Sequence, residues 1–479
     1  MAKLPKGIEI VPKVSREAAR VLSSEALHFV GDLQRGARAT IEHLKLQRAA
    51  AIKAGLPDFK PRTSAIRAGG WKAAALPRDL TDLRCGIVTT VSRKELLLGL
   101  NSGAKLCLAD FADFTSPNWG NLIDGHINLM DRWTSAMEHV DKVSGRRVSL
   151  SQRLAALMVQ PRRLLSDEPR VKCDGKSFSA GLFDTGLYLF HNAKVALAKA
   201  SGPYLCLTDI ASQVEARAWN DILLHAQSLL ELPAGAIRLQ VRIDTLAAAF
   251  EIDEIVHELR EHATGISLSS QRYGFDVMGL KGLVIRTAHR RGILAMAPMT
   301  RDDARLHAEQ AVRSGFDGIW TASPEQVATA IKVFNGDMPT PNQTYVSRDD
   351  VSLTQNDLLK PGDGKVTSES FRQTVRSAVL MLESWLSGHG AITVDAMIED
   401  GASLDLRRTQ LWHWLRHGVK LDGGGKITAG LFEECLSEIL KPLKSADGRH
   451  KEAAALLKAM VTAETLVPDL FAIAWKKLA

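Results

Sequence analysis

Three apolar runs in this chain each end in an acidic residue. Runs of this length, rich in Leu, Ile, Val and Cys, predict buried β-strands. A carboxylate at the end of a strand can accept a proton as a general base, or hold a hard divalent cation such as Mg²⁺. It can also simply cap the following helix, and for a single Asp that structural role is the favoured interpretation. The three acids are Asp110 in KLCLAD (105–110), Asp209 in PYLCLTD (203–209) and Asp244 in AIRLQVRID (236–244).

The elements that carry these acids alternate between strands and helices from residue 85 to about residue 335. Further strand-like runs lie at 85–91, 292–297 and 315–320, separated by longer segments with helical periodicity. This alternation predicts parallel strands, and the number of units favours an α/β fold of the closed (β/α)8 TIM-barrel type. The carboxyl ends of the strands form the catalytic face of such barrels. Three acids at equivalent places therefore favour function over capping.

Helical segments flank this region on both sides. Residues 15–54 have the periodicity and the Ala, Leu, Arg and Glu content of a helix. The stretch MPTPN at 338–342 marks a boundary, after which the chain is predicted to be helical, with helices at 368–386, 407–417 and 452–460.

Other conspicuous residues have structural interpretations. Trp412 and Trp414 lie in a helical segment and are expected to pack in its core. The run HRR at 289–291 has the character of a solvated helix end with cations near its carboxyl terminus.

Composition restricts the class of protein. The chain has 479 residues, with 61 Lys and Arg against 54 Asp and Glu, a surplus of only +7. This surplus favours a mildly basic enzyme that binds anionic metabolites over a nucleic-acid-binding protein. Five scattered cysteines without zinc-site spacing predict free thiols in a reducing compartment. The amino-terminal segment lacks a signal-peptide pattern and no apolar stretch reaches membrane-spanning length, so we expect a cytoplasmic protein.

A collinear series of short motifs from about residue 56 to residue 417 resembles malate synthases of the shorter class, the enzymes that condense acetyl-CoA with glyoxylate. The motifs are LNSGAK (100–105), TSPNW (115–119), LFDTGLYLFHN (182–192), EARAWND (215–221), AAFEIDEI (248–255), HRRG (289–292), MPTPNQ (338–343), IEDGAS (398–403) and QLWHW (410–414).

The resemblance implies an architecture of three parts. These are an N-terminal helical clasp at 1–84, a (β/α)8 barrel at 85–337 and a C-terminal helical plug at 338–479. It also implies small-molecule ligands, an acyl-CoA and a carboxylate, with Mg²⁺ as the metal. The oligomeric state is left open.

The chemistry implied by the resemblance needs a carboxylate base, an Arg that stabilises the enolate of acetyl-CoA, and Mg²⁺ held by a Glu and an Asp. The base of the family corresponds to Asp400, within IEDGAS. The first metal ligand corresponds to Asp244, shorter by one methylene than the Glu of the family. The second corresponds to Arg272, and a guanidinium repels Mg²⁺. Two positions whose backbone approaches glyoxylate in the family correspond to Ser269 and Gln271.

Further departures concern the charged residues around the reaction centre. The enolate-stabilising Arg corresponds to Gln160, while Arg162, two positions later, is expected to point elsewhere. A Glu that supports metal-bound water corresponds to Ala112, and the Glu of a Pro-Lys-x-Glu-Ser-His segment corresponds to Ala211. Loss of these groups removes electrostatic stabilisation of the transition state.

Three hypotheses follow. The first is a divergent malate-synthase-like protein with lost or altered activity, in which Asp400 is retained as base and Arg272 forms an anion site for a carboxylated substrate. The second is an active malate synthase with a rebuilt metal site that uses Asp276 or Asp113. The third is a non-catalytic scaffold or regulatory subunit.

Overall fold

The computed structural model describes residues 4–134, 137–142, 145–269, 277–300, 302–360, 364–443, 448–467 and 469–478. Among these residues, no helix is both long and apolar enough to cross a membrane.

The strands are short. They are β1 (Ile8–Ile10), β2 (Cys85–Thr89), β3 (Leu106–Asp110), β4 (Glu138–Val140), β5 (Arg147–Ser149), β6 (Ala156–Gln160), β7 (Asp167–Cys173), β8 (Lys176–Ser179), β9 (Tyr204–Leu207), β10 (Arg238–Ile243), β11 (Ala263–Leu268), β12 (Leu294–Ala297), β13 (Gly318–Thr321), β14 (Ala391–Val394) and β15 (Met397–Asp400).

The helices range from single turns to eight turns. They are α1 (Ala18–Val21), α2 (Ser24–Lys53), α3 (Ser64–Ala68), α4 (Arg93–Asn101), α5 (Trp119–Asp131), α6 (Ala180–Ala198), α7 (Gln213–Leu229), α8 (Leu246–Ala249), α9 (Ile252–Glu258), α10 (Val277–Arg291), α11 (Ala304–Ser314), α12 (Pro324–Asp337), α13 (Gln355–Leu359), α14 (Ser368–Leu386), α15 (Gly401–His417), α16 (Ala429–Leu440), α17 (His450–Val461) and α18 (Leu470–Ala474).

Eight strands of the described residues close into a parallel barrel in the order β2-β3-β6-β9-β10-β11-β12-β13. Most of these strands are buried along their whole length, as expected for parallel strands that are covered by helices on one side and fill the barrel on the other. The predicted (β/α)8 barrel is therefore confirmed. Two of its strands, β6 and β11, were not among the strand-like runs picked out by composition.

The chain divides into two compact units by its internal contacts. The first comprises Met1–Phe111 and Leu122–Lys360, and the second comprises Ala112–Asn121 and Pro361–Ala479. In the first unit, α2 packs on α6 and α7, and the antiparallel sheet β1-β7-β8 lies outside the barrel. The helix predicted at 15–54 is interrupted at residues 22 and 23, where Ser23 caps α2.

The second unit has its own apolar core, contributed by helices α14 to α18. The predicted helix at 368–386 is confirmed as α14, whereas the one predicted at 407–417 begins earlier, at Gly401, because Asp400 supplies its cap. Trp414 packs against this core, as predicted.

The interpretation of residues 289–291 as a helix end with cations is confirmed, since α10 ends at Arg291, but the expected solvation is wrong for His289 and Arg291. His289 is buried, its Nε2 lies 3.0 Å from Asp317 Oδ2 and its Nδ1 lies 2.7 Å from the Val346 carbonyl oxygen. Arg291 is also buried and donates to Asp253. The sequence pattern could not show these partners, which lie 28 and 57 residues away for His289 and 38 residues away for Arg291.

Candidate active site

The inward face of β10 carries a column of polar side chains. Along this strand the aliphatic residues alternate with polar ones, so Gln240 and Arg242 share one face with Asp244, which follows the strand directly. The aliphatic residues face the surrounding helices, and the polar column therefore faces the barrel interior. A cation and an anion, Arg242 and Asp244, thus stand together at the carboxyl end of β10.

Asp244 is completely buried and already engaged. Both of its carboxylate oxygens accept the backbone N–H of Asp209, at 3.0 and 3.2 Å. Arg242 Nε lies 3.8 Å from Asp244 Oδ2. The carboxylate that the resemblance assigns to Mg²⁺ therefore has a backbone donor and a guanidinium as neighbours.

Asp209 is held by the N-terminal helix. It adopts a left-handed backbone conformation with φ of 59°, and its carboxylate accepts from Arg48 on α2. Arg48 also donates to Glu215, whose Oε2 accepts the backbone N–H of Ala211 at 2.8 Å. Burial alone would lower the pKa of the Arg48 guanidinium, but the carboxylates of Asp209 and Glu215 raise it above its ordinary value. Arg48 therefore remains charged and fixes this loop.

The alternative role of the strand-end acids as helix caps is wrong for two of them. Helix α7 is capped by Ser212, and α8 is capped by Thr245. Asp209 and Asp244 therefore do not serve as the caps of these two helices.

Asp110 and Gln160 lie side by side at the ends of β3 and β6, where they are paired in register, and both side chains are buried. Gln160 is neutral at the position where the resemblance implies an enolate-stabilising Arg. Residue 160 itself therefore contributes no positive charge at this edge of the barrel.

Arg162 does not replace that charge, in agreement with the expectation from the sequence that it points elsewhere. It is buried in a separate network, donating to both oxygens of Asp184 at 2.8 Å and to Glu168 at 2.6 Å. Burial alone would lower the pKa of Arg162, and the two carboxylates raise it above its ordinary value. Its charge is therefore neutralised by the buried carboxylates of Asp184 and Glu168.

Cys206 on β9 lies within the same polar interior. Burial raises the pKa of its thiol to about 12, while the nearby Arg242 acts in the opposite direction. Because the thiolate is the nucleophilic form, Cys206 is held as a neutral side chain.

The described residues do not fit a resident divalent cation. Within them, no three His, Cys, Asp or Glu side chains converge on a point that could hold a metal ion. Mg²⁺ requires several oxygen ligands in octahedral geometry, and the neighbour of Asp244 is a guanidinium. Arg272, Gln271 and Asp276 lie outside the described residues. Ser269 follows β11, where its backbone N–H donates to the Ile243 carbonyl at 3.1 Å.

The remaining site candidates belong to the second unit. Asp400 is buried at the start of α15, where its Oδ1 accepts the backbone N–H of Ser403 at 2.8 Å in a capping box. Asp113 accepts the backbone N–H of Gly401 through its carbonyl oxygen, at 2.9 Å, and Ala112 precedes it. Asp400 thus has a structural function as a cap, independent of any function as a base.

Sequence reasoning missed Gln240 and Arg242. A signal was present, since polar residues occupy every second position of the run AIRLQVRID. This alternation is unusual for a strand of a parallel barrel, where both faces are normally apolar.

Comparisons with known proteins agree with this architecture. The family model described as "Malate synthase, TIM barrel domain" matches residues 156–282 and 269–361, and "Malate synthase, C-terminal" matches residues 365–478. The malate synthase of Myxococcus xanthus is 36% identical, covering 92% of this chain and 89% of its own length. Malate synthase A of Escherichia coli is 32% identical, covering 96% of both.

A solved structure of Haloferax volcanii malate synthase, a ternary complex with pyruvate and acetyl-CoA, is 14% identical. It covers 78% of this chain and 98% of its own, with a TM-score of 0.45. The closed parallel barrel defines a (β/α)8 protein. From the family models and the identity over nearly the full length of its relatives, this chain belongs to the malate synthase family.

Proposed function

We propose that this chain is a divergent member of the malate synthase family that does not condense acetyl-CoA with glyoxylate efficiently. In this proposal it binds a CoA thioester or a small carboxylate instead. The observation that carries the proposal is the guanidinium of Arg242, 3.8 Å from the buried carboxylate of Asp244.

This arrangement opposes Mg²⁺ binding for an electrostatic reason. A divalent cation at Asp244 would stand close to an arginine that cannot lose its proton, in a site where screening by water is weak. The neutral Gln160 adds a second deficit, because an enolate of a thioester needs positive charge or hydrogen-bond donors to form. Together these features remove the two electrostatic contributions on which the family reaction depends.

The proposal retains Asp400 as a proton acceptor. A carboxylate there could remove a proton from an acyl-CoA or activate water for thioester hydrolysis. Acetyl-CoA and other acyl-CoAs are thus the first ligands to examine.

A second candidate is an active malate synthase with a rebuilt metal site. It is favoured by the 32–36% identity to proteins that are named malate synthases. In this alternative, Asp276 or Asp113 would supply the missing carboxylate.

The two candidate functions predict different results in one assay. This assay measures the release of CoA from acetyl-CoA with glyoxylate and Mg²⁺, with and without chelator. Loss of one oxyanion-type donor alone lowers turnover by about 10²–10³-fold. We therefore expect the rate to be at least about a thousandfold below that of E. coli malate synthase A assayed in parallel. Chelator-sensitive turnover near the rate of the E. coli enzyme would refute the divergent assignment.

The two functions of Asp400 can be separated by substitution. Asn caps helices as well as Asp, so Asp400→Asn should leave the free energy of unfolding within about 0.5 kcal/mol of the wild type, whereas Asp400→Ala should lower it by about 1 kcal/mol. Both variants should lose any acyl-CoA-dependent turnover that the wild type shows. Turnover that persists in Asp400→Asn would exclude Asp400 as the base.

A further inference from the structure

Two histidines lie about one turn apart on the same exposed face of α15. His413 and His417 are four residues apart, the spacing that places two side chains next to each other on a helix. Their imidazole rings are nearly parallel, with 14° between the ring planes and 5.8 Å between the ring centroids. Because both residues are exposed, the pair can be reached by an ion from solvent.

Trp412 restrains one member of this pair. The indole Nε1 of Trp412 donates to the Ala463 carbonyl oxygen at 2.9 Å, which fixes the ring against the segment that follows α17. The His413 ring meets this indole edge to face, with 5.0 Å between the ring centroids. One imidazole is therefore held by a fixed neighbour, and the conformational entropy lost when the pair binds an ion is reduced.

Imidazole pairs of this spacing are suited to late transition metals. An imidazole nitrogen is a preferred ligand of Zn²⁺, Ni²⁺ and Cu²⁺, and two histidines four residues apart on one helix face can hold one ion. With Zn–N distances of about 2.0–2.1 Å, the two nitrogens must come to roughly 3 Å from each other. Exposed side chains change rotamer rapidly, so the two rings can reach this geometry.

The end of α15 also favours a cation electrostatically. The helix ends at His417, and the carboxyl end of a helix carries the negative end of its dipole. Arg416, the neighbouring cation on the helix, is exposed, so its repulsion of a bound ion is screened by water and salt.

We propose that His413 and His417 form a surface site for one late transition-metal dication, of the class of Zn²⁺ and Ni²⁺. Water completes the coordination, since within the described parts of the chain no three His, Cys, Asp or Glu side chains converge on one ion. Mg²⁺ is a poor ligand for this site because it prefers oxygen donors. The site lies on the helix that Asp400 caps and does not depend on the proposed function.

The probe is zinc sulfate, titrated by calorimetry at pH 7.5 into the full-length chain without a histidine tag. We expect one Zn²⁺ to bind per chain, with an affinity that excess Mg²⁺ in the buffer does not change. Loss of a group that only supports a metal ligand lowers affinity by about 10–100-fold, so loss of a ligand should cost at least about tenfold. His413→Gln and His417→Gln should each weaken Zn²⁺ binding by this amount.

A matched variant and a second measurement show where the ion binds. His43→Gln removes an exposed histidine of α2 that has no histidine four residues away on either side, and it should bind Zn²⁺ like the wild type. Because the ion bridges neighbouring turns, Zn²⁺ should slow hydrogen exchange in peptides from Gly401–His417 of the wild type, and not in those of His417→Gln.

Three results overturn the inference. They are Zn²⁺ binding of wild-type affinity in either folded variant of the pair, loss of Zn²⁺ binding in excess Mg²⁺, and unchanged hydrogen exchange in α15 when Zn²⁺ is added. Binding of several Zn²⁺ ions without a defined stoichiometry shows adventitious binding and overturns it as well. Since both replaced side chains are exposed, the variants are expected to fold, which circular dichroism checks.

Discussion

At the scale of single residues, charged side chains are paired differently in the buried network around Glu168 and at the barrel edge. In the buried network, Glu168 accepts from Arg162 at 2.6 Å and from Arg170 Nε at 2.7 Å, so each charge has a partner of opposite sign. At the barrel edge, Arg242 lies beside an Asp244 that already accepts a backbone N–H. The first arrangement serves folding, and the second places a cation and an anion side by side at the carboxyl end of β10.

The charge on Glu168 makes stability depend on pH. Burial alone would raise the pKa of Glu168, but Arg162 and Arg170 lower it below its ordinary value of 4.5. A carboxylate with a lowered pKa in the folded state stabilises the protein above its unfolded-state pKa, and this contribution is lost as the pH falls through the folded-state pKa. Glu168→Gln should therefore cost about 3 kcal/mol of unfolding free energy at pH 7, and the difference from the wild type should shrink below about pH 4.5.

Urea unfolding at several pH values measures this difference. The control is Glu9→Gln, because Glu9 is exposed and lies 3.6 Å from Lys172 in the sheet next to Glu168. An exposed pair contributes about 0.5 kcal/mol or less, so this variant should unfold like the wild type. A Glu168→Gln penalty that is independent of pH would contradict the prediction.

At the scale of elements, closure of the barrel depends on close packing between β13 and β2. A Cβ at Gly318 would lie 1.7 Å from the Leu83 carbonyl oxygen, a backbone atom that cannot rotate away. We expect Gly318→Ala to destabilise the chain by about 3 kcal/mol or more, since the strand pairing itself must shift. Urea or thermal unfolding measures the loss.

Gly336 is the matched control for this substitution. It lies in α12, and a Cβ there would meet no atom within 4 Å. Alanine restricts the unfolded chain and suits a helix, so Gly336→Ala should gain about 0.5–1 kcal/mol. Equal tolerance of both substitutions would show that the strands can separate without cost.

At the scale of the whole molecule, the second unit is not continuous in sequence. Residues 112–121 leave the barrel unit and join residues 361–479. Within the second unit, Asn121 Nδ2 donates to the carbonyl oxygens of Ser116 and Gly388, both at 2.9 Å, and Ser116 Oγ donates to the Trp385 carbonyl at 2.7 Å. The inserted segment is thus tied to the carboxyl end of α14.

Two cores of this kind predict unfolding that is not two-state. Asn121→Ala leaves two carbonyls without this donor, and should lower the stability of the second unit by about 1–2 kcal/mol. Hydrogen exchange resolved by peptide should show faster exchange in peptides of the second unit, with little change in barrel strands. Asn220→Ala, which removes only a contact with the neighbouring Asp221, is the control. Uniformly faster exchange across both units would contradict this prediction.

The sequence by itself determined the family and the fold class. Strand–helix alternation and the motif series depend on local composition and on residues close in sequence, and the closed parallel barrel confirms them. The length of α14 followed from helical periodicity in the same way. The strand-end positions of Asp110 and Asp244 could be predicted too, because both directly follow or end an apolar run.

Only the tertiary structure decided what those side chains contact. It placed Arg48 of the N-terminal helix on Asp209, 161 residues away, and brought His289 to Asp317 in the interior. It also turned Gln240 and Arg242 into the barrel next to Asp244. Partners of buried charges are chosen by the folded packing, since the free energy of burying an ion depends on every group around it. Local sequence patterns carry no record of those neighbours.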